Sequence, residues 1–186
     1  RDGRDAALSY LAMPQGIVTE GWATPRDVAG FACQWRTEVE AARALGGRVG
    51  PDRYLEIRYE GLVADPAETL SRVCAFAGLE FEPAMVDYAG TLDLSAKPHQ
   101  QRLAQPPTVG VRDWRSELSP DDQLGFERIA GALLAELGYE VRHPDADGAG
   151  ARLRLAGYRG RIAAWRGAGY AMQRSPLWRS RHPLVS

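Results

Sequence analysis

Residues 1–10 read RDGRDAALSY, two Arg-Asp pairs around a glycine that run straight into a helix-forming segment. Asp5 has the side chain of an N-cap, and Ala6, Ala7 and Leu8 are strong helix formers. Arg1 to Arg4 therefore read as a connection into a helix N-terminus, of the kind that usually follows a β-strand. The expectation is a sequence that begins in mid-fold.

Further along, ATPRDVAGFACQWRTEVEAARALGG (residues 23–47) offers Thr24 as a cap, Pro25 at the first helical position and Val28, Phe31, Ala32, Trp35 and Val39 at helical spacing. RYLEIRYEGL (53–62) sets Tyr54, Glu56 and Arg58 against Leu55, Ile57 and Tyr59, a period of two that predicts a strand. In ADPAETLSRVCAFAGL (64–79), Asp65, Pro66 and Glu68 form a helix start with a capping box, and Gly78 ends the helix. The order is helix, strand, helix. A short helix is expected over Pro83 to Tyr88, then an irregular polar stretch over residues 92–112. SPDDQLGFERIAGALLAELGYE (119–140) gives the clearest helix, capped by Ser119 and stopped at Gly138.

Composition bounds the function. With 45% hydrophobic and 25% charged residues the chain has the make-up of a soluble globular protein. No apolar run approaches the roughly 20 residues that span a bilayer, and no signal-like segment opens the sequence, so a cytoplasmic setting is expected. Cys33 and Cys74 each sit in an apolar helical pattern and read as buried thiols, not as a disulfide or a metal site. Charge is unevenly spread: residues 1–150 hold 15 basic and 24 acidic side chains, whereas residues 151–186 hold eight arginines and no acid. In that tail Leu155, Tyr158, Ile162, Trp165, Gly169 and Met172 step by three and four, with Arg152, Arg159 and Arg166 recurring every seven, the pattern of a basic amphipathic helix. Residues 142–150 read as a linker between a domain over 1–141 and this tail over 151–186.

Three segments together resemble one family, the sulfotransferases that use 3′-phosphoadenosine 5′-phosphosulfate (PAPS). RDGRDAALSY is similar to the family's R-D-x-R-D-x-x-x-S strand-loop-helix, whose first Arg and later Ser hold the donor's 3′-phosphate. The matching positions are Arg1 and Ser9. The chemistry fits, because a guanidinium and a hydroxyl near a helix start bind an anion through charge-assisted bonds and the dipole. Residues 53–85 resemble the family's R-Y-E-D-L-x-x-D-P strand and helix, with Tyr59 where an aromatic meets the adenine and Gly61 where Asp is usual. Residues 106–140 resemble the glycine-containing loop, Trp and terminal helix. By that resemblance Gly110, Arg112 and its rival Arg115 are candidate 3′-phosphate contacts, and Trp114 anchors the loop.

The resemblance implies an α/β fold, a parallel sheet like that of P-loop NTPases flanked by helices and incomplete at the N-terminus. It implies sulfuryl transfer from PAPS to a hydroxyl or amine on a small molecule or glycan, with no metal required and no nucleic-acid partner. The family's phosphosulfate loop and catalytic Lys are absent from the sequence, so no catalytic residue is assigned and the chain alone is expected to be inactive. Lys97, His99, His143 and His182 lie in loop-like stretches and are not promoted to that role. A related P-loop kinase would need G-x-x-x-x-G-K-[ST], which is missing. A module binding a membrane or anionic polymer through the tail is the secondary alternative; the favoured reading packs the arginines on the domain's acidic surface or leaves them disordered. Acceptor and oligomeric state are not legible.

Overall fold

The computed structural model describes residues 1–13, 24–87, 112–146 and 148–175. Seven α-helices account for most of them: α1 (Gly3–Leu11), α2 (Val28–Val49), α3 (Tyr59–Ala64), α4 (Pro66–Ala77), α5 (Trp114–Glu117), α6 (Pro120–Glu136) and α7 (Ala149–Arg174). A 3₁₀ turn covers Pro83–Met85, shorter than the helix expected to reach Tyr88, which lies outside the described residues.

The expected α/β architecture with a parallel sheet does not form: among the described residues there is no strand. Residues 54–58 form no regular element; Arg58, just before α3, has an extended backbone (φ −96°, ψ 134°). A strand becomes a sheet only when a neighbour about 4.8 Å away takes up its backbone N–H and C=O groups. The alternation then breaks at Tyr59, where the Leu62 amide bonds back to the Arg58 carbonyl and α3 begins.

Local chemistry sets most helix ends. Asp65 accepts the Glu68 amide at 2.9 Å, Pro66 follows it, and α4 closes on Gly78 at φ 68°, a left-handed position that favours glycine. Ser119 accepts the Asp122 amide and starts α6. Two starts differ from expectation. α2 is capped by Asp27, which accepts the Gly30 amide, so Thr24 and Pro25 precede the helix. α1 is capped by Asp2, not Asp5, and begins three residues early.

The core lies where α1, α2 and α6 converge, with α7 laid across α2 and α6. Ala7, Ala32, Cys33, Trp35, Trp114, Phe126, Leu134 and Tyr158 are among its buried members. Trp35 and Phe126 pack ring to ring at 5.9 Å, and Gly3 sits so close to both that a Cβ there would lie 2.6 Å from each ring. Cys33 and Cys74 are free thiols, both buried. Burial pushes the Cys33 thiol above its ordinary pKa.

The start of α7 is fastened to the body by charge as well as by Leu155 and Tyr158. Arg154 forks onto Asp27 at 2.8 and 3.0 Å, and Arg159 pairs with Glu40. No described helix is long and apolar enough to cross a membrane.

Candidate functional site

The N-terminal Arg-Asp repeat divides into an inner and an outer half. Arg4 is fully buried. Its guanidinium forks onto Asp2 (Nη2 to Oδ2 2.8 Å, Nε to Oδ1 3.1 Å), donates from Nη1 to Glu127 Oε1 at 2.5 Å and from Nη2 to the Glu140 carbonyl at 2.6 Å. It also stacks 3.5 Å from the Trp114 ring centroid. A charge taken wholly out of water needs such compensation, and here four of the five N–H donors and the planar face are occupied by partners. Glu127 completes the ring of contacts by accepting the amides of Arg142 and His143.

Arg1 stands on the outer side. Its Nη1 donates to Ser9 Oγ at 3.3 Å, and its Cζ lies 4.8 Å from the Tyr59 ring centroid. No carboxylate of the described residues forms an ion pair with that guanidinium, whereas Arg4, Arg36, Arg43, Arg112, Arg115, Arg142, Arg154 and Arg159 each have one. A guanidinium has five N–H donors, and the Ser9 bond uses one. The Ser9 hydroxyl in turn donates to the Asp5 carbonyl at 3.1 Å, so it must rotate before it can donate to a ligand. Arg1, Ser9 and Tyr59 are thus brought together, with Tyr59 at the first turn of α3 and not on a strand.

Two further ties hold this cluster to the body. The Asp2 amide donates to Glu60 Oε1 at 2.8 Å, and Tyr139 Oη donates to Glu60 Oε2 at 3.1 Å. Asp5 accepts the Trp114 amide at 2.9 Å, joining α1 to α5. Burial pushes the Asp5 carboxyl above the ordinary carboxylate value, and that amide pulls the other way.

The remaining sequence-predicted contacts fall elsewhere. Arg112 is paired with Glu117 at 2.8 Å. Arg115 is paired with Glu140 at 2.7 Å and lies over Trp114. Neither hydrogen-bonds Arg1 or Ser9. Gly110, Lys97, His99 and His182 lie outside the described residues. His143 is exposed and contributes its backbone amide to Glu127. A Cβ on Gly61 would meet nothing within 4 Å, so the side chain the family carries there would be accommodated. Among the described residues no cluster of His, Cys, Asp and Glu could hold a metal ion. An open cleft of about 610 Å³ lies next to the cluster, with Ile57, Arg58, Glu60, Thr69, Arg72 and Tyr139 in its lining, and contains none of the predicted contacts. Sequence reasoning missed Glu60 and Tyr139; only their distance-independent residue types were available to it.

Comparison with known proteins bears on this geometry directly. The sequence profile described as the sulfotransferase family matches residues 1–83, the segment that carries Arg1, Ser9 and Tyr59. Over those residues the chain is similar to the sulfotransferase family. It is 32% identical over 94 residues to carbohydrate sulfotransferase 1 of Danio rerio, covering 48% of this chain and 22% of that protein. It is 36% identical over 97 residues to carbohydrate sulfotransferase 2 of Homo sapiens (50% and 18%), and 38% identical over 103 residues to nodulation protein NoeE of Sinorhizobium fredii (50% and 24%). The matches therefore span a quarter or less of these relatives' length. No solved structure matches the chain.

Proposed function

We infer that this chain contributes the 3′-phosphate and adenine side of a PAPS site in a sulfotransferase. The observation that supports it best is the Arg1 guanidinium, which has no carboxylate partner among the described residues and is set beside Ser9 and Tyr59. A phosphate would take up the spare N–H donors in charge-assisted bonds. The Tyr59 ring is 37% exposed and offers apolar surface to a purine. Arg112 and Arg115 serve this site only by leaving Glu117 and Glu140, so they are secondary contacts, and Gly110 is proposed with them as the loop's backbone donor.

The reaction is sulfuryl transfer. An acceptor hydroxyl attacks sulfur in line, the S–O bond to the donor's bridging phosphate oxygen breaks, and 3′-phosphoadenosine 5′-phosphate leaves as the hydroxyl proton passes to a base. Positioning and electrostatic stabilisation of the leaving oxygen carry such displacements. The acceptor we assign is a glycan hydroxyl, in keeping with relatives named carbohydrate sulfotransferases. The sequence has no glycine-rich loop with a lysine for the 5′-phosphosulfate. These 186 residues accordingly bind the donor without turning it over.

Isothermal titration of the chain with 3′-phosphoadenosine 5′-phosphate, beside 5′-AMP and the Arg1→Ala variant, tests the reading. Binding that requires the 3′-phosphate and weakens by about 1.5–3 kcal/mol in Arg1→Ala is the expected result. Equal affinity for both nucleotides, or an unaffected variant, overturns it.

A further inference from the structure

The C-terminal half of α7 is an amphipathic helix with nothing among the described residues packed beneath it. Leu155 and Tyr158 are buried and Ile162 packs against the core, but beyond Ile162 the helix runs on to Arg174 with every residue exposed except the half-buried Gly169. The three-four spacing that buries Leu155, Tyr158 and Ile162 continues as Trp165, Gly169 and Met172. Trp165 is 55% exposed and Met172 53%. A heptad spacing drifts by about 20° per seven residues on a straight helix. Trp165 and Met172 therefore lie about 20° and 40° off the line of Tyr158 on the same side of the helix.

Charge points to the occupant. Residues 149–174 contain six arginines and no acidic residue. Arg154 and Arg159 are used up on Asp27 and Glu40 of the body. Arg161 and Arg166 follow on the two sides of the Trp165 stripe: Arg161 contacts only the Tyr158 ring, and Arg166 has no ion pair or hydrogen bond among the described residues. Arg174 lies over the Tyr170 ring on the far side of the helix from Trp165. The opposite face is Gly160, Ala164, Gly167 and Ala171. A tryptophan-bearing apolar stripe between arginines, on a helix too polar to cross a bilayer, is the form of helix that lies in the headgroup layer.

We propose that this half of α7 docks the protein on an anionic lipid bilayer, with Trp165 and Met172 at the acyl boundary and Arg161 and Arg166 on lipid phosphates. The proposal is independent of the nucleotide site.

The test is co-sedimentation of the 186-residue chain with vesicles of phosphatidylcholine alone or mixed with phosphatidylglycerol, at low and high salt. Quenching of tryptophan emission by bromine-labelled acyl chains supplies a depth readout. Binding is expected on the mixed vesicles at low salt, to fall at high salt, and to weaken about fivefold for each of Arg161→Gln and Arg166→Gln. Trp165→Phe should retain binding and lose most of the quenching. These side chains are exposed, and circular dichroism verifies that the variants keep their helix. Absence of binding to the mixed vesicles at low salt overturns the proposal, as does equal binding to neutral vesicles. Capture by heparin or RNA without vesicle binding overturns it in favour of a soluble polyanion, and concentration-dependent dimerisation without vesicle binding in favour of a second copy of the chain.

Discussion

Arg4 and Glu127 meet at 2.5 Å with both side chains shut off from solvent, although 123 residues separate them in sequence. This pair, with Asp2 on the other side of the guanidinium, fixes α1 to α6. Removing the cation strands two carboxylates. Arg4→Ala should cost about 3–5 kcal/mol in urea unfolding, and Glu127→Ala less, because Asp2 still neutralises Arg4. Equal losses would mean that the Arg142 and His143 amides left without Glu127 cost as much as the stranded carboxylate.

Two glycines should respond oppositely to a methyl group. At Gly3 the added Cβ meets the Phe126 and Trp35 rings at 2.6 Å, so Gly3→Ala is expected to lose about 1–3 kcal/mol by overpacking. At Gly125, inside α6, it meets nothing within 4 Å, and Gly125→Ala is expected to gain about 0.5–1 kcal/mol from helix propensity. Paired thermal melts decide both.

Asp5 faces two ways, toward the Trp114 amide and toward Arg1. Its folded pKa is raised by burial, so its protonated form suits the fold better than its ionised form. The associated stability is present below the ordinary value of 3.8 and is lost as pH rises through the folded value. Asp5→Asn keeps an acceptor for the Trp114 amide and removes the charge. Its stability near neutral pH should equal or exceed that of the parent, with a flatter acid limb in pH-dependent unfolding. It should also bind 3′-phosphoadenosine 5′-phosphate more tightly, since one negative charge near Arg1 is gone.

Tyr139 and Tyr158 are both pushed up to about 12, by burial first, with Glu60 adding at Tyr139 and Glu38 at Tyr158. The fold favours the neutral phenol, so stability is full below pH 10 and declines as pH rises from 10 toward 12. Ultraviolet titration should show these two phenols ionising last. Tyr158→Phe should lessen the alkaline loss; an unchanged alkaline limb would place its cause elsewhere.

The parts of this fold that rest on local chemistry were legible in the sequence. Asp65 with Pro66 and Ser119 with Pro120 start α4 and α6 because a cap needs only the next three residues. The three-four stripe of α7 was readable for the same reason. α1 was misplaced because Asp2 and Asp5 are equally good caps by type, and what selects Asp2 is its bond to Arg4, itself held by Glu127 from the far end of the chain. The strand expected over 53–62 does not form: alternation says nothing of a neighbour to pair with, and from Tyr59 the same residues turn into α3. At the site, the Arg1, Ser9 and Tyr59 grouping came from the family resemblance, since no periodicity links residues 1 and 59. The pairing of Arg112 with Glu117 and Arg115 with Glu140 was invisible because exposed carboxylates are common on every surface segment.

α1 is pinned by Arg4, by the Asp2 amide on Glu60, by Asp5 on Trp114 and by the rings against Gly3. What remains free on its outer side is the Arg1 guanidinium and the Ser9 hydroxyl, which move by rotamer changes on the picosecond to nanosecond scale. An anion held there has no hinge to wait for. As far as the Arg1 and Ser9 contacts are concerned, its departure would require nothing slower than those two side chains turning.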